Sequence, residues 1–238
     1  MNLKNARILV IGGTSGIGLG VAAAVADRGG IPIVVSRNQS NVERALAGLP
    51  THARGATVDL SDPADLSRLA DEVGQIEHLV FTAGEPLTMV GFADLTAETI
   101  TEFIGTRFIG QLQVIREFAP RITEGGSVTL TSGTAAEKPG LGVLPTAVCG
   151  AINAMTRALA VELAPLRINA VAPGPIETPL WSAFGEAGRD AVYEQFARNL
   201  PVGRIGEVTD TALAYVYCME QEFGTGIVLT VDGGTTLV

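Results

Sequence analysis

The chain is poor in the groups that most often carry protons or bind metals. Its 238 residues include two cysteines, two histidines, three tyrosines and only two lysines, Lys4 and Lys138. Cys149 and Cys218 stand far apart without metal-ligand spacing, which excludes a disulfide framework and reads as two reduced, small core residues. His52 and His78 are equally isolated, so no metal site is expected. Positive charge is scarce as well: 16 Lys and Arg against 25 Asp and Glu leave a net charge of -9. Nucleic acid and anionic membrane surfaces, which demand clustered cations, are thereby disfavoured as partners. No apolar export segment and no run of about 18 apolar residues stands out, so the expected location is the cytoplasm. Neither a Pro/Ser-rich linker nor an internal repeat divides the sequence. With 47% hydrophobic residues it can bury one core, and the expectation is a single domain over 1–238.

What is present is an alternation. Short β-branched runs near 7–11, 31–36, 54–58, 77–82, 126–131, 167–171 and 226–231 predict strands. Alanine-rich amphipathic segments near 16–29, 38–48, 63–74, 97–122, 147–164 and 207–220 predict helices between them. Such βαβ units imply an α/β fold, a Rossmann-type doubly wound sheet of seven parallel strands covered on both faces. The stretch 179–203 breaks the pattern and carries Trp181, Phe184, Tyr193 and Phe196, which predicts a small helical lid over an apolar or aromatic substrate pocket.

The first strand, Arg7-Ile8-Leu9-Val10-Ile11, runs into Gly12-Gly13-Thr14-Ser15-Gly16-Ile17-Gly18. Glycines at 12, 16 and 18 let the backbone turn tightly and bring a helix N-terminus up to a pyrophosphate. The same glycines would equally suit a packed turn with no ligand. Further pieces are spread along the chain in order: Asp59-Leu60, Ala83-Gly84, Leu130-Thr131-Ser132-Gly133, Thr156 to Pro165, Arg167-Ile168-Asn169, Pro173-Gly174, Pro201-Val202-Gly203-Arg204 and Val231-Asp232-Gly233-Gly234.

Together these pieces resemble the short-chain dehydrogenase/reductase family almost from end to end. The resemblance implies that Gly12, Thr14, Ser15, Gly16, Ile17 and Gly18 cradle a dinucleotide and that Asp59 and Leu60 meet its adenine. It places Ala83 and Gly84 beside its ribose, with Pro173, Gly174, Ile176 and Thr178 near its nicotinamide end. After the second strand stand Ser36 and Arg37, where a carboxylate would select NAD. An arginine fork there suits a 2′-phosphate, so NADP(H) is the expected cofactor, although a second basic residue is missing at Ser15.

Family chemistry resembles a proton relay through a tyrosine, with a lysine four residues later on the same helical face. Counting back from Thr156, Pro145 falls at the tyrosine position and Cys149 at the lysine position. The residues four places after Tyr193, Tyr215 and Tyr217 are Ala197, Met219 and Gln221, so no such pair exists anywhere in the chain. Arg107 stands where the family has an asparagine, leaving Ser132 from the usual set. The expected catalytic residues are accordingly Ser132 and Arg107. Cys149 also reads as a small core residue, and Lys138, Glu137 and Glu85 as either mouth residues or solvated charges.

Two functions remain open from the sequence. One is an NADP(H)-dependent oxidoreductase with a non-standard site acting on a small carbonyl or enolate-type substrate. The other is an NADP(H)-binding protein that is a sensor, a scaffold or a non-redox enzyme. A weaker third is an interaction subunit, since helices 97–122 and 147–164 resemble the family's dimerising pair and the tail 235–238 could reach another interface. A homodimer or homotetramer is expected.

Overall fold

The computed structural model describes residues 2–87 and 90–238. Seven strands form one parallel sheet: β1 (Arg7–Ile11), β2 (Ile31–Ser36), β3 (Arg54–Thr57), β4 (Ile76–Phe81), β5 (Ile122–Thr131), β6 (Arg167–Pro173) and β7 (Val228–Val231). Their order is β3-β2-β1-β4-β5-β6-β7, with Leu9 paired to Ile33 on one side and to Leu79 on the other. The chain therefore winds outward in two directions from the gap between β1 and β4. In such sheets the carboxyl ends of the strands part at that point, and a ligand crevice forms there.

Helices α1 (Gly16–Ala26) and α8 (Val208–Glu220) cover one face, burying Val21, Val25, Tyr215 and Met219 against Ile8 and Val10. The opposite face carries α3 (Pro63–Val73), α4 (Ala97–Ile104), α5 (Gln111–Phe118) and α6 (Val143–Glu162). There Leu69, Val114, Phe118, Val148 and Ile152 pack on Leu9, Leu79 and Leu130. Helix α2 (Gln39–Ala47) packs over β2 and β3, with Ala45 on Val34. Burial on both faces explains why the strands read as continuous apolar runs rather than alternating ones.

Three elements differ from the sequence expectation. The long helix over 97–122 is interrupted by a π-helical turn, Gly105–Gly110, and the strand after it begins at Ile122 rather than near 126. Gly105 and Gly110 bound that turn; π turns inside helices recur at functional sites. Helix α6 starts at Val143, four residues early, because Pro145 lies in its first turn, where the missing N–H breaks no helical hydrogen bond. By length and composition α6 is apolar enough to cross a bilayer, contrary to the expectation that no such segment exists. Its Val148, Ile152, Met155 and Ala160 face the sheet instead. The 179–203 stretch is helical as expected: a 3₁₀ segment, Pro179–Phe184, leads into α7 (Gly185–Asn199).

Arg204, from one of the family-like pieces, and the isolated His78 both prove to be structural. Arg204 holds Asp210 through both carboxylate oxygens, at 2.7 and 2.9 Å, and Asp210 forms a capping box with Glu207 at the start of α8. His78 is fully buried on β4 with Nδ1 2.9 Å from Ser127 Oγ. Burial, aided by the charge of Arg167, depresses its pKa to about 3. Because the folded value lies below the ordinary 6.5, the neutral ring's contribution is present above pH 6.5 and is lost as the pH falls toward 3. About 1.4 kcal/mol should disappear per pH unit in that window. Denaturant unfolding at pH 7 and pH 5 should thus show a loss of about 2 kcal/mol that His78→Gln lacks; equal slopes in the two proteins would exclude His78 as its source.

Candidate functional site

A cleft of about 720 Å³ opens at the carboxyl ends of the strands, across the β1/β4 switch point. That size suits a large cofactor with a small substrate beside it. Every residue expected to hold a dinucleotide lines this cleft, from Gly12 and the Thr14–Gly18 turn through Ser36, Arg37, Asp59, Leu60, Ala83 and Gly84 to Pro173, Gly174, Ile176 and Thr178. Gly12 has φ +82°, and a Cβ there would stand 2.6 Å from Ala83 N, so only glycine keeps the floor flat. Ser15 precedes α1 without a side-chain capping bond, and Gly16, Ile17 and Gly18 of the first turn face the cleft. That end of the cleft has the features that bind a pyrophosphate.

Arg37 extends from the end of β2, its side chain two-thirds exposed and Nη2 3.9 Å from Glu85 Oε1. Asp59 accepts from the Ser61 hydroxyl at 2.7 Å and from its N–H at 2.9 Å. These two bonds, with the charge of Arg37 added, hold its carboxyl below the usual carboxylate range.

The other end of the cleft gathers Arg107, Ser132, Pro145 and Cys149. Arg107 projects from the π turn, and its Nη2 donates to the backbone oxygen of Glu85 while the guanidinium lies 4.9 Å from the Phe103 ring centroid. A Cβ on Gly84 would come 2.7 Å from Arg107 Nη1, so that glycine makes room for the guanidinium. Burial pulls the pKa of Arg107 down while the neighbouring Glu85 and Cys149 oppose the shift. An arginine still keeps its charge under such conditions. Its Nε is buried without a partner. Gln111, one turn on, fixes this segment by donating to Arg107 O at 2.5 Å and Thr131 O at 3.3 Å.

Ser132 leaves β5 with its hydroxyl turned toward α6, donating to Asn153 Oδ1 at 2.6 Å and lying 3.1 Å from Cys149 O. In this arrangement it can accept a proton-bearing group, but must rotate to donate one. Asn153 escaped sequence reasoning; its signal was the spacing of four from Cys149, which puts both on one face of α6. Burial raises the Cys149 thiol pKa against the pull of Arg107, so it is a poor nucleophile.

The aromatic pocket is smaller than expected. Trp181, anchored by Nε1 to Ile176 O at 2.8 Å, and Phe196 line the cleft. Phe184 and Tyr193 are absent from its lining: Phe184 packs against Trp181 with the rings tilted and their centroids 6.1 Å apart, and the Tyr193 ring centroid lies 5.9 Å from the Arg189 guanidinium. The C-terminal tail lies against this cleft. Thr235 and Val238 line it, and Lys138 Nζ donates to Val238 O and, at 3.0 Å, to Thr235 O.

The fold and this cleft have close counterparts. Residues 12–236 match the family model for Enoyl-(acyl carrier protein) reductase. The chain is 38% identical over 253 residues to short-chain dehydrogenase/reductase ATR9 of Stachybotrys chlorohalonatus, covering 99% of this chain and 98% of that one. MalC Reductase/Diels-Alderase of Malbranchea aurantiaca superposes with a TM-score of 0.91 at 31% identity, covering 99% and 98%. An NADPH-bound short chain oxidoreductase of Pseudomonas aeruginosa PAO1, described as containing an atypical catalytic center, superposes with a TM-score of 0.90 at 25% identity, covering 98% of each chain. With its seven-stranded parallel sheet, its glycine-rich β1–α1 turn and matches that run nearly end to end, the chain belongs to the short-chain dehydrogenase/reductase family.

Proposed function

We propose that this protein is an NADP(H)-dependent oxidoreductase whose substrate is activated by Arg107 and Ser132 rather than by a tyrosine and lysine pair. The observation that carries the reading is a buried guanidinium, with Nε unpartnered, lining the same cleft as the glycine turn and Arg37. When bound, the cofactor supplies hydride. Gly12 and the start of α1 would hold its pyrophosphate, and Arg37 its 2′-phosphate. Pro145 and Cys149 stand in for the family's proton relay, so no side chain there can deliver a proton to an alkoxide. Arg107 instead stabilises negative charge on a substrate carboxylate or enolate, and water is the proton source. Trp181 and Phe196 make the remaining wall apolar, with 179–203 acting as the lid. The likeness to an NADPH-bound protein with an atypical catalytic center supports this reading.

A second reading is non-redox chemistry on a substrate held beside the dinucleotide. It is favoured by the likeness to a protein described as both reductase and Diels-Alderase.

The expected result is that NADPH at about 100 times Kd adds about 2.7 kcal/mol of stability and raises Tm by roughly 5–10 °C. NADPH should bind more tightly than NADH, and Arg37→Asp should abolish that difference. Arg107 should also favour NADPH over NADP⁺, whose nicotinamide ring is positive, and Arg107→Asn should narrow the gap. Titration of cofactor fluorescence and melting shifts measures all of these. Equal affinities for the two oxidation states in the wild type would remove Arg107 from the site.

A further inference from the structure

One carboxylate in the cofactor cleft has no place in the scheme so far. Glu85 follows Ala83-Gly84 beyond the end of β4, and its Oε1 accepts a hydrogen bond from Thr106 Oγ1 at 2.8 Å. Thr106 belongs to the π turn, so the carboxylate is pinned on the helix side while reaching toward β2, where it stands 3.9 Å from Arg37 Nη2. Its second oxygen, Oε2, is buried and has no partner. Asp59 also acts on Arg37: the carboxyl is stabilised first by Ser61 and then by the arginine's charge. Arg37 thus lies in the field of two carboxylates, one from the end of β3 and one from the end of β4.

An acid at the end of the second strand is the usual reader of the adenosine ribose, because it accepts from a 2′-hydroxyl and repels a 2′-phosphate. That position is Ser36 here. We propose that Glu85, arriving from β4, is the specificity-determining residue for the 2′ position of the adenosine ribose. It competes with a 2′-phosphate for Arg37, and Oε1, the oxygen that faces the guanidinium, can also accept from the hydroxyl of a ribose diol. The two effects act in opposite directions on the two cofactors: a phosphate must displace the carboxylate from the guanidinium, whereas a diol can donate to it. The inference rests on the dinucleotide reading and adds that the NADPH preference supplied by Arg37 is held down by a neighbour on another strand.

The test is titration of the full chain with NADPH and with NADH, followed by cofactor fluorescence and by melting temperature. Glu85→Gln keeps an oxygen for Thr106 and removes the charge. It should tighten NADPH by about tenfold and leave NADH unchanged or a few-fold weaker. In an Arg37→Met background the same substitution should gain much less, because the competition runs through the guanidinium. A ratio of the two affinities unchanged within about twofold would overturn the inference while leaving the dinucleotide reading intact. So would an equal loss for both cofactors, which would make Glu85 merely part of the wall. Failure of the wild type to bind either cofactor would overturn both.

Discussion

Replacing Pro145 by Tyr and Cys149 by Lys should raise turnover of neutral ketones with NADPH by about 10²- to 10⁴-fold, the usual worth of a positioned general acid. The backbone is ready for the exchange. Positions 145 and 149 are one turn apart on α6, both line the cleft, and 145 lies in the first helical turn, where either proline or tyrosine fits the hydrogen-bond pattern. One obstacle is visible. Cys149 feels the charge of Arg107, so an ammonium at 149 would be opposed by the guanidinium beside it. The triple variant that adds Arg107→Asn should therefore outperform the double variant, because the new ammonium then keeps its charge unopposed. Measurement of kcat/KM for a simple ketone, with cofactor binding and Tm as controls, decides the matter. Wild-type rates already normal for the family, or a folded, cofactor-binding triple variant with no gain, would show that the absent pair is not what limits this site.

How much of this was legible in the sequence depends on whether one residue or several had to agree. The parallel sheet could be read because each buried strand is a β-branched run and these runs alternate with helical segments. The glycine turn could be read because Gly12 at positive φ and the open start of α1 are consequences of local residues. The π turn could not, since a segment bounded by Gly105 and Gly110 would equally suit a plain break in a helix, and the bond that ties Gln111 to Thr131 O forms only in the folded chain. The contact of Arg37 with Glu85 spans 48 residues and arises only when β2 and β4 flank β1. The direction of the Ser132 hydroxyl was likewise beyond reach, because its partner Asn153 comes from the next helix. The aromatic residues of 179–203 misled in part: packing, not the pocket, claims Phe184 and Tyr193.

Arg167→Leu should destabilise the protein by about 3–4 kcal/mol, which is roughly 10 °C in Tm for a domain of this size. Arg167 begins β6 and is nearly buried. Its Nη1 donates to Cys218 O at 2.7 Å and Gln221 O at 2.8 Å, and its Nη2 to Met219 O at 2.9 Å and more weakly to Gly125 O at 3.4 Å. Cys218 and Met219 lie in the last turn of α8 and Gln221 just follows it, so one guanidinium satisfies carbonyls that no helical N–H can reach and places positive charge at the negative end of the helix dipole. Burial lowers the pKa of Arg167, with nearby Cys218 and Glu222 opposing the shift, but the charge is retained. Leucine would keep much of the volume while leaving those buried carbonyls unpaired, and each such group costs about 1–3 kcal/mol. Lysine should recover less than half of the loss, because a single ammonium cannot span carbonyls on two sides as a planar fork does. Cofactor affinity should not change in either variant once the melting shift is allowed for, since Arg167 sits at the amino end of its strand, opposite the cleft. A Tm within about 2 °C of wild type in Arg167→Leu would mean that water replaces the guanidinium without cost and that the helix end is held by packing alone.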